Sequence, residues 1–249
     1  LSTRAVPDGN HFVLNGKKMW ITNAKEADLF IIFANANPDA GHRGITAFIL
    51  ERNTPGFSIG KKEDKLGIRS SDTCSLLLDS CKVPVENVLK VPGDGFPIAM
   101  NALDNSRIGI AAQALGIAQG AYESALGYAH VREAFGKPIA YHQSIGNILA
   151  DMATRTEAAR LMVYKAAWAK QRHYEDDAPR HTMEASMAKL FAGDTAMWVA
   201  ERAVQVLGGY GYTTDFPVER FFRDAKITQI YEGTQEVQRI VINRSIAPE

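Results

Sequence analysis

The sequence predicts an α+β fold: an antiparallel β-barrel or sandwich domain over residues 1–95, followed by a four-helix bundle domain over residues 96–249. Two observations predict it. Up to about residue 95 the apolar residues come in short runs rich in β-branched and aromatic side chains, separated by turn chemistry such as Asn37-Pro38-Asp39 and Thr54-Pro55-Gly56. Beyond that point they recur every three or four positions over long stretches. The change falls in a loop from Val83 to Gly95 that contains Pro84, Pro92, Gly93 and Gly95, the composition of a domain boundary.

In the β region, Phe12-Val13-Leu14 and Met19-Trp20-Ile21 flank Asn15-Gly16, the dipeptide best suited to the positive φ angles of a two-residue hairpin turn, so a hairpin is expected there. Further strands are expected at Leu29 to Ala34, Ile45 to Leu50, Phe57 to Ile59 and Thr73 to Leu78. In the helical region, Ile108, Ala111, Leu115, Ala118, Tyr122, Leu126 and Ala129 mark a first helix, and Ile145 through Ala166 a second. A third starts after Pro179 and stops at Gly208-Gly209. A short last helix follows Gly233-Thr234, with Val237, Ile240 and Val241 on its buried side. Three long helices and a short one fit an antiparallel bundle. The methionines at 183, 187 and 197 are read as core filling.

At 249 residues the chain can bury two cores. Acidic and basic residues balance at 28 each, which excludes the broad positive field of a nucleic-acid binder and leaves room for a local basic patch. Cys74 and Cys81 are too few for a disulfide framework and are expected to be free thiols in a reducing compartment. No apolar run approaches the roughly 20 residues of a membrane span, and no signal-peptide pattern opens the chain. A soluble protein is expected. Because it opens with Leu1 and not Met, it is read as a processed or cut product. His130 and His181 lack metal-ligand spacing with a Cys or acidic partner, so no metal site is expected.

Glu232 stands between an apolar approach (Ile227, Ile230, Tyr231) and a Gly233-Thr234 step that opens a helix, so the chain is expected to turn sharply there and aim the carboxylate into a cavity. Taken alone, an exposed loop glutamate is the commoner case. The surrounding text decides otherwise. Arg223-Asp224-Ala225-Lys226-Ile227 followed by Ile230-Tyr231-Glu232-Gly233-Thr234, the upstream run Gln205 to Tyr212 with Pro217-Val218-Glu219-Arg220, and Arg132 to Ile139 resemble, in order, three signatures of the acyl-CoA dehydrogenase family. The resemblance covers nearly the whole chain and fails only at its beginning.

That resemblance implies a set of roles. Glu232 is the base that removes the α proton of an acyl thioester, and general-base logic asks for an apolar, water-poor pocket around it. Its backbone N–H donates to the thioester carbonyl, and Tyr231 and Gly233 lie on the substrate side. A minority of relatives carry the base on the residue before the arginine of the first bundle helix. Here that residue is Ser106, before Arg107, which argues for Glu232 and against the isovaleryl and long-chain pattern. Asp104 and Arg107 match positions that hold the CoA moiety, although a solvated i,i+3 ion pair explains them equally well without the resemblance.

For the cofactor, FAD, Trp20-Ile21-Thr22 matches the strand that walls the flavin and bonds its N5 edge, and Trp20 and Glu232 are expected to converge on one cavity. Arg132, Phe135, Gln205, Gly208 and Gly209 match contacts to the pyrophosphate and adenine made across a dimer interface, where arginine's planar fork and paired glycines suit phosphate. Ala134 stands where relatives often have a hydrogen-bonding side chain. Thr234 and Glu236 match the stretch after the base that also reaches FAD, with glutamine at the second position in some relatives.

The implied enzyme is a short-chain or short/branched-chain acyl-CoA dehydrogenase. It is a homotetramer, a dimer of dimers with FAD at the dimer interface, that passes electrons to electron-transfer flavoprotein in a mitochondrial matrix or bacterial cytoplasm. Lys65 to Arg69 and Arg107 to Ala111 carry the subtype. Two alternatives stand beside it: an acyl-CoA oxidase, and a non-catalytic fragment of the same fold acting in binding or assembly. The family's N-terminal helical domain has no counterpart here, so this chain alone is expected to retain FAD weakly and to be an incomplete catalyst.

Overall fold

A computed structural model describes residues 1–247. The chain divides into two compact units, residues 1–65 with 69–102, and residues 66–68 with 103 onward.

The first unit is a six-stranded sheet of β1 (Arg4–Asp8), β2 (His11–Thr22), β3 (Leu29–Asn35), β4 (Ile45–Glu51), β5 (Phe57–Lys62) and β6 (Thr73–Pro84), in the order β4-β3-β1-β2-β6-β5. Strand alternation builds its core. Phe12 and Leu14 on β2, Phe30, Ile32 and Ala34 on β3, and Leu76 and Leu78 on β6 point inward and are buried. The expectation of a barrel or sandwich is met in packing but not in hydrogen bonding. Phe12 meets Phe48 edge-on at 5.2 Å and Phe30 meets Phe57 at 4.8 Å, so strands far apart in the sheet order face each other across one coiled core. The outermost strands β4 and β5 do not pair, so the sheet stays open. Nor is it all antiparallel: β1 runs parallel to β3 through the single pair Arg4↔Asn35.

The expected hairpin at Asn15-Gly16 is absent. These residues sit inside β2 as a bulge, where the register against β6 slips between Leu14 and Gly16. Gly16 has φ 144, and a Cβ there would lie 2.9 Å from the Thr3 backbone, so a close crossing explains the glycine that turn chemistry suggested. The actual turn is Gly9-Asn10, closed by the pair Asp8↔His11. β1 was not among the expected strands; it contains Pro7, a residue that sequence patterns place at strand edges.

The second unit contains most of α1 (Gly95–Val131), then α2 (Gln143–Glu175), α3 (Thr182–Leu207), α4 (Val218–Ala225) and α5 (Gln235–Ile246), with a two-residue hairpin of β7 (Glu133–Ala134) and β8 (Lys137–Pro138) after α1. The buried seam of α1 is mostly alanine, at positions 111, 114, 118, 121, 125 and 129, and shares one apolar core with residues of α2 and α3. α3 ends where expected, at Gly208 with φ 61. The expected face of α5 is corrected. Val237 and Ile240 are exposed, and the helix buries Gln235 and Gln238 instead. Polar partners beneath those two glutamines outweigh the apolar period.

Candidate functional site

Glu232 has φ 55 and Gly233 φ 89, two successive residues in the left-handed region. For a residue with a Cβ this costs about 1–3 kcal/mol and persists only where surroundings enforce it. The sharp turn expected from sequence is therefore present, and its carbonyls are held: Gln238 Nε2 donates to Glu232 O (3.1 Å) and Gly233 O (2.8 Å), while Lys189 Nζ donates to Gly233 O (2.7 Å). The Glu232 N–H meets no acceptor among the described residues.

Ser106, on α1, donates its hydroxyl to Glu232 Oε2 at 2.6 Å, closer than its alternative acceptor Leu103 O at 3.2 Å. The residue that the resemblance marks as the alternative place for a base thus donates to the Glu232 carboxylate. Tyr231 is half-buried and donates to Gln113 Oε1. Burial, with the Glu232 charge adding to it, pushes its phenol up to about 12, so it is a neutral wall at physiological pH. Gly233 is part of the turn itself, and a Cβ there would lie 2.7 Å from Gln238 Nε2.

Asp104 and Arg107 are both buried, one helical turn apart on α1, with Arg107 Nη1 donating to Asp104 Oδ1 at 3.1 Å. The ion pair expected on the solvated reading exists, but it is dry. Asp104 Oδ2 also accepts from Arg180 Nη2 (2.7 Å) and Thr182 Oγ1 (2.6 Å). Burial lowers the Arg107 pKa, opposed by the charges of Asp104 and Glu232, and its Nε–H is left without an acceptor. An orphaned buried donor costs about 1–3 kcal/mol and suits a ligand acceptor.

A second locus of the same unit is a cleft of about 500 Å³ lined by Tyr128, Arg132, Ile139, Gly208, Gly209 and Tyr210 among others. The Arg132 guanidinium has no carboxylate partner among the described residues, and nothing lies within 4 Å of a Cβ placed on Gly208 or Gly209. Gln205 is exposed on the last turn of α3. Phe135, with φ 52, tips the β7–β8 hairpin and is 97% exposed. A free guanidinium, open glycine backbone and an unburied ring fit an anionic, aromatic group such as FAD. Thr234 and Glu236 are engaged locally. The Thr234 hydroxyl caps α5 by accepting from Val237 N–H, and hydrogen bonding to Thr234 lowers the Glu236 carboxyl.

In the first unit, Trp20 has φ 64 and sits at a second bulge of β2, between Lys18 and Ile21, and is 67% exposed. It is not the core tryptophan of an ordinary strand. Ile21 and Thr22, paired with Cys74 and Thr73, border a cleft of about 380 Å³. A bulge that turns a large aromatic outward suits a stacking wall.

Sequence reasoning missed Lys189, Gln238, Arg180 and Thr182. For Lys189 a signal was present, since it falls in the buried phase of α3 with Ala185, Ala192 and Ala196.

The family model "Acyl-CoA dehydrogenase, C-terminal domain" matches residues 93–247, and "Acyl-CoA dehydrogenase, middle domain" matches residues 1–81. The chain belongs to the acyl-CoA dehydrogenase family. It is 52% identical over 244 residues to the short-chain specific acyl-CoA dehydrogenase of Clostridium acetobutylicum, covering 98% of this chain and 63% of that one. Among solved structures it matches butyryl-CoA dehydrogenase from Megasphaera elsdenii at 50% identity and TM-score 0.94, covering 98% of this chain and 63% of that one. It also matches a chain in a structure described as the electron transferring flavoprotein of Acidaminococcus fermentans, at 51% identity and TM-score 0.94, covering 99% and 64%. The chain thus spans about three fifths of the length of the relatives it matches.

Proposed function

We propose that this chain is the base-bearing part of an FAD-dependent short-chain acyl-CoA dehydrogenase, oxidising an unbranched or short branched acyl-CoA to its trans-2-enoyl-CoA and passing electrons to electron-transfer flavoprotein. The observation that carries this reading is the Glu232 turn: an enforced left-handed backbone bearing a carboxylate held by Ser106 and an N–H with no acceptor, in a chain about half identical to short-chain dehydrogenases.

In this reading the Glu232 N–H and the substrate carbonyl form the hydrogen bond that stabilises enolate charge, and the carboxylate takes the α proton. Ser106 keeps Oε2 hydrogen-bonded and fixes the rotamer from which the other oxygen reaches the proton. The Arg107 Nε–H, with Asp104 as its counter-charge, serves a CoA acceptor. FAD, held by Trp20, Ile21, Thr22, Arg132, Phe135, Gln205, Gly208, Gly209, Thr234 and Glu236, supplies when bound the acceptor for the β hydrogen and its electron pair. The domains at 1–95 and 96–249, a homotetramer, and a mitochondrial matrix or bacterial cytoplasm complete the proposal.

The test is the flavin spectrum of the whole enzyme titrated with acyl-CoAs of increasing length and branching. Bleaching greatest with butyryl-CoA supports the reading; no bleaching with any acyl-CoA overturns it. Rapid recolouring in air, with oxygen uptake, would assign an oxidase instead.

A further inference from the structure

Lys189 has a side chain with no exposure to solvent, yet it carries a charge on the buried face of α3. Packing a helix does not need it: an apolar residue of the same length fills the space without the cost of removing an ammonium from water. Its hydrogen bonds go to the turn after Glu232, to Gly233 O at 2.7 Å and to Gln235 Oε1 at 3.2 Å. Gln238, also fully buried, adds two more to the carbonyls of Glu232 and Gly233. Gln235 is itself anchored on α3, donating to Leu190 O (2.8 Å) and Asp194 Oδ1 (2.9 Å).

We propose that Lys189 and Gln238 are positioning residues for the base: they clamp the carbonyls of Glu232 and Gly233 toward α3 and α5, so that the Glu232 carboxylate and N–H point together at the substrate. This rests on the reading of Glu232 as the base. The strained backbone needs such a clamp, because no strand pairing or helix hydrogen bond supports it. Lys189 also sets a positive charge behind the carboxylate. Asp194 on its own helix, Arg107 on α1, Glu232 on the turn and Glu236 on α5 are the charges that act on it; burial brings it down to about 8, with the three carboxylates opposing that fall and Arg107 adding to it.

The test compares Lys189→Met, Lys189→Arg and Gln238→Leu in the flavin-loaded enzyme, with kcat and KM for butyryl-CoA measured across pH and amide hydrogen exchange followed over residues 230–236. Lys189→Met and Gln238→Leu are expected to lower kcat by about 10- to 100-fold with KM changed by less than about threefold, as loss of supporting contacts does, and to speed exchange at the turn. Lys189→Arg, which keeps a buried donor for the Gly233 carbonyl, should recover kcat and slow exchange at the turn relative to Lys189→Met. Should Lys189→Met not fold, Gln238→Leu retains the kcat and exchange readouts. Unchanged kcat and exchange in the variants, or a lower Tm alone, overturn the inference. Those results beside an inactive Glu232→Gln enzyme leave the base assignment standing, whereas a fully active Glu232→Gln enzyme overturns that assignment first.

Discussion

Two turns in this molecule share a pair of successive left-handed φ angles and differ in what surrounds them. Phe135-Gly136 has φ values of 52 and 79, Glu232-Gly233 of 55 and 89. The first tips a hairpin whose pairs Ala134↔Lys137 and Glu133↔Pro138 enforce the left-handed residues locally, as two-residue hairpins do. It needs nothing else. Phe135 is 97% exposed, and nothing lies within 4 Å of a Cβ on Gly136. The second turn joins a 3-10 turn to a helix with no strand pairing, so its conformation depends on two buried side chains, Gln238 on the helix that follows and Lys189 on α3, 44 positions away from Gly233. Strain supported locally can present a side chain to a ligand or partner with little further structure. Strain supported remotely ties the presented group to the core.

The sharpest test of that contrast is Glu232→Gln. It keeps the turn and deletes the base, and should retain flavin while turnover, read by stopped-flow bleaching, falls by roughly 10²–10⁴-fold. Next in size is the pair of glycine substitutions. Gly233→Ala places a Cβ 2.7 Å from Gln238 Nε2 and should lower kcat at least about 10-fold, together with Tm. Gly136→Ala strains only its own φ, costing about 1–2 kcal/mol, and should leave kcat unchanged. Equal effects from the two would break the comparison.

A pH series probes the remote support. The folded protein releases the Lys189 proton at about 8, the unfolded chain at 10.5. Between those values the unfolded state binds more protons, so this group makes stability rise with pH. Relative to Lys189→Met, the parent should gain stability from pH 8 to 10.5 in denaturant melts. Phe135→Ala should leave stability in denaturant melts within about 0.5 kcal/mol, as a surface change does, while flavin is lost more readily on gel filtration. If Phe135→Ala holds flavin as well as the parent, that exposed ring has no ligand role. Ser106→Ala removes one hydrogen bond from the carboxylate, and by the usual worth of such a bond should lower kcat only about 2- to 10-fold.

Periodicity made the gross fold legible, because burial on one face imposes it. α1 to α3 and strands β3 to β6 lie where their apolar spacing puts them, and α3 stops at its glycine pair. Legibility ended where long-range contact overrode a local signal. Asn15-Gly16 carries hairpin chemistry, yet its glycine answers to Thr3 crossing behind it, and Asn15 accepts from the Ser80 N–H across the sheet. The valine and isoleucines of α5 have a helical period, yet Gln235 and Gln238 face inward because Lys189 and two turn carbonyls await them. Glu232 itself was legible through its motif; of the residues that hold it, Lys189 showed only as a charge in the buried phase of α3, and Gln238 announced nothing until the turn it serves was in place.

Cys74 and Cys81 lie on β6, a strand paired on both sides, and both thiols are almost wholly covered. Burial also pushes both toward the protonated, unreactive form. An alkylating reagent therefore meets them only when the sheet opens. The two sulfurs make a built-in clock: the half-life of labelling counts separations of β6 from its neighbours and reports the sheet's own lifetime without reference to turnover or flavin colour.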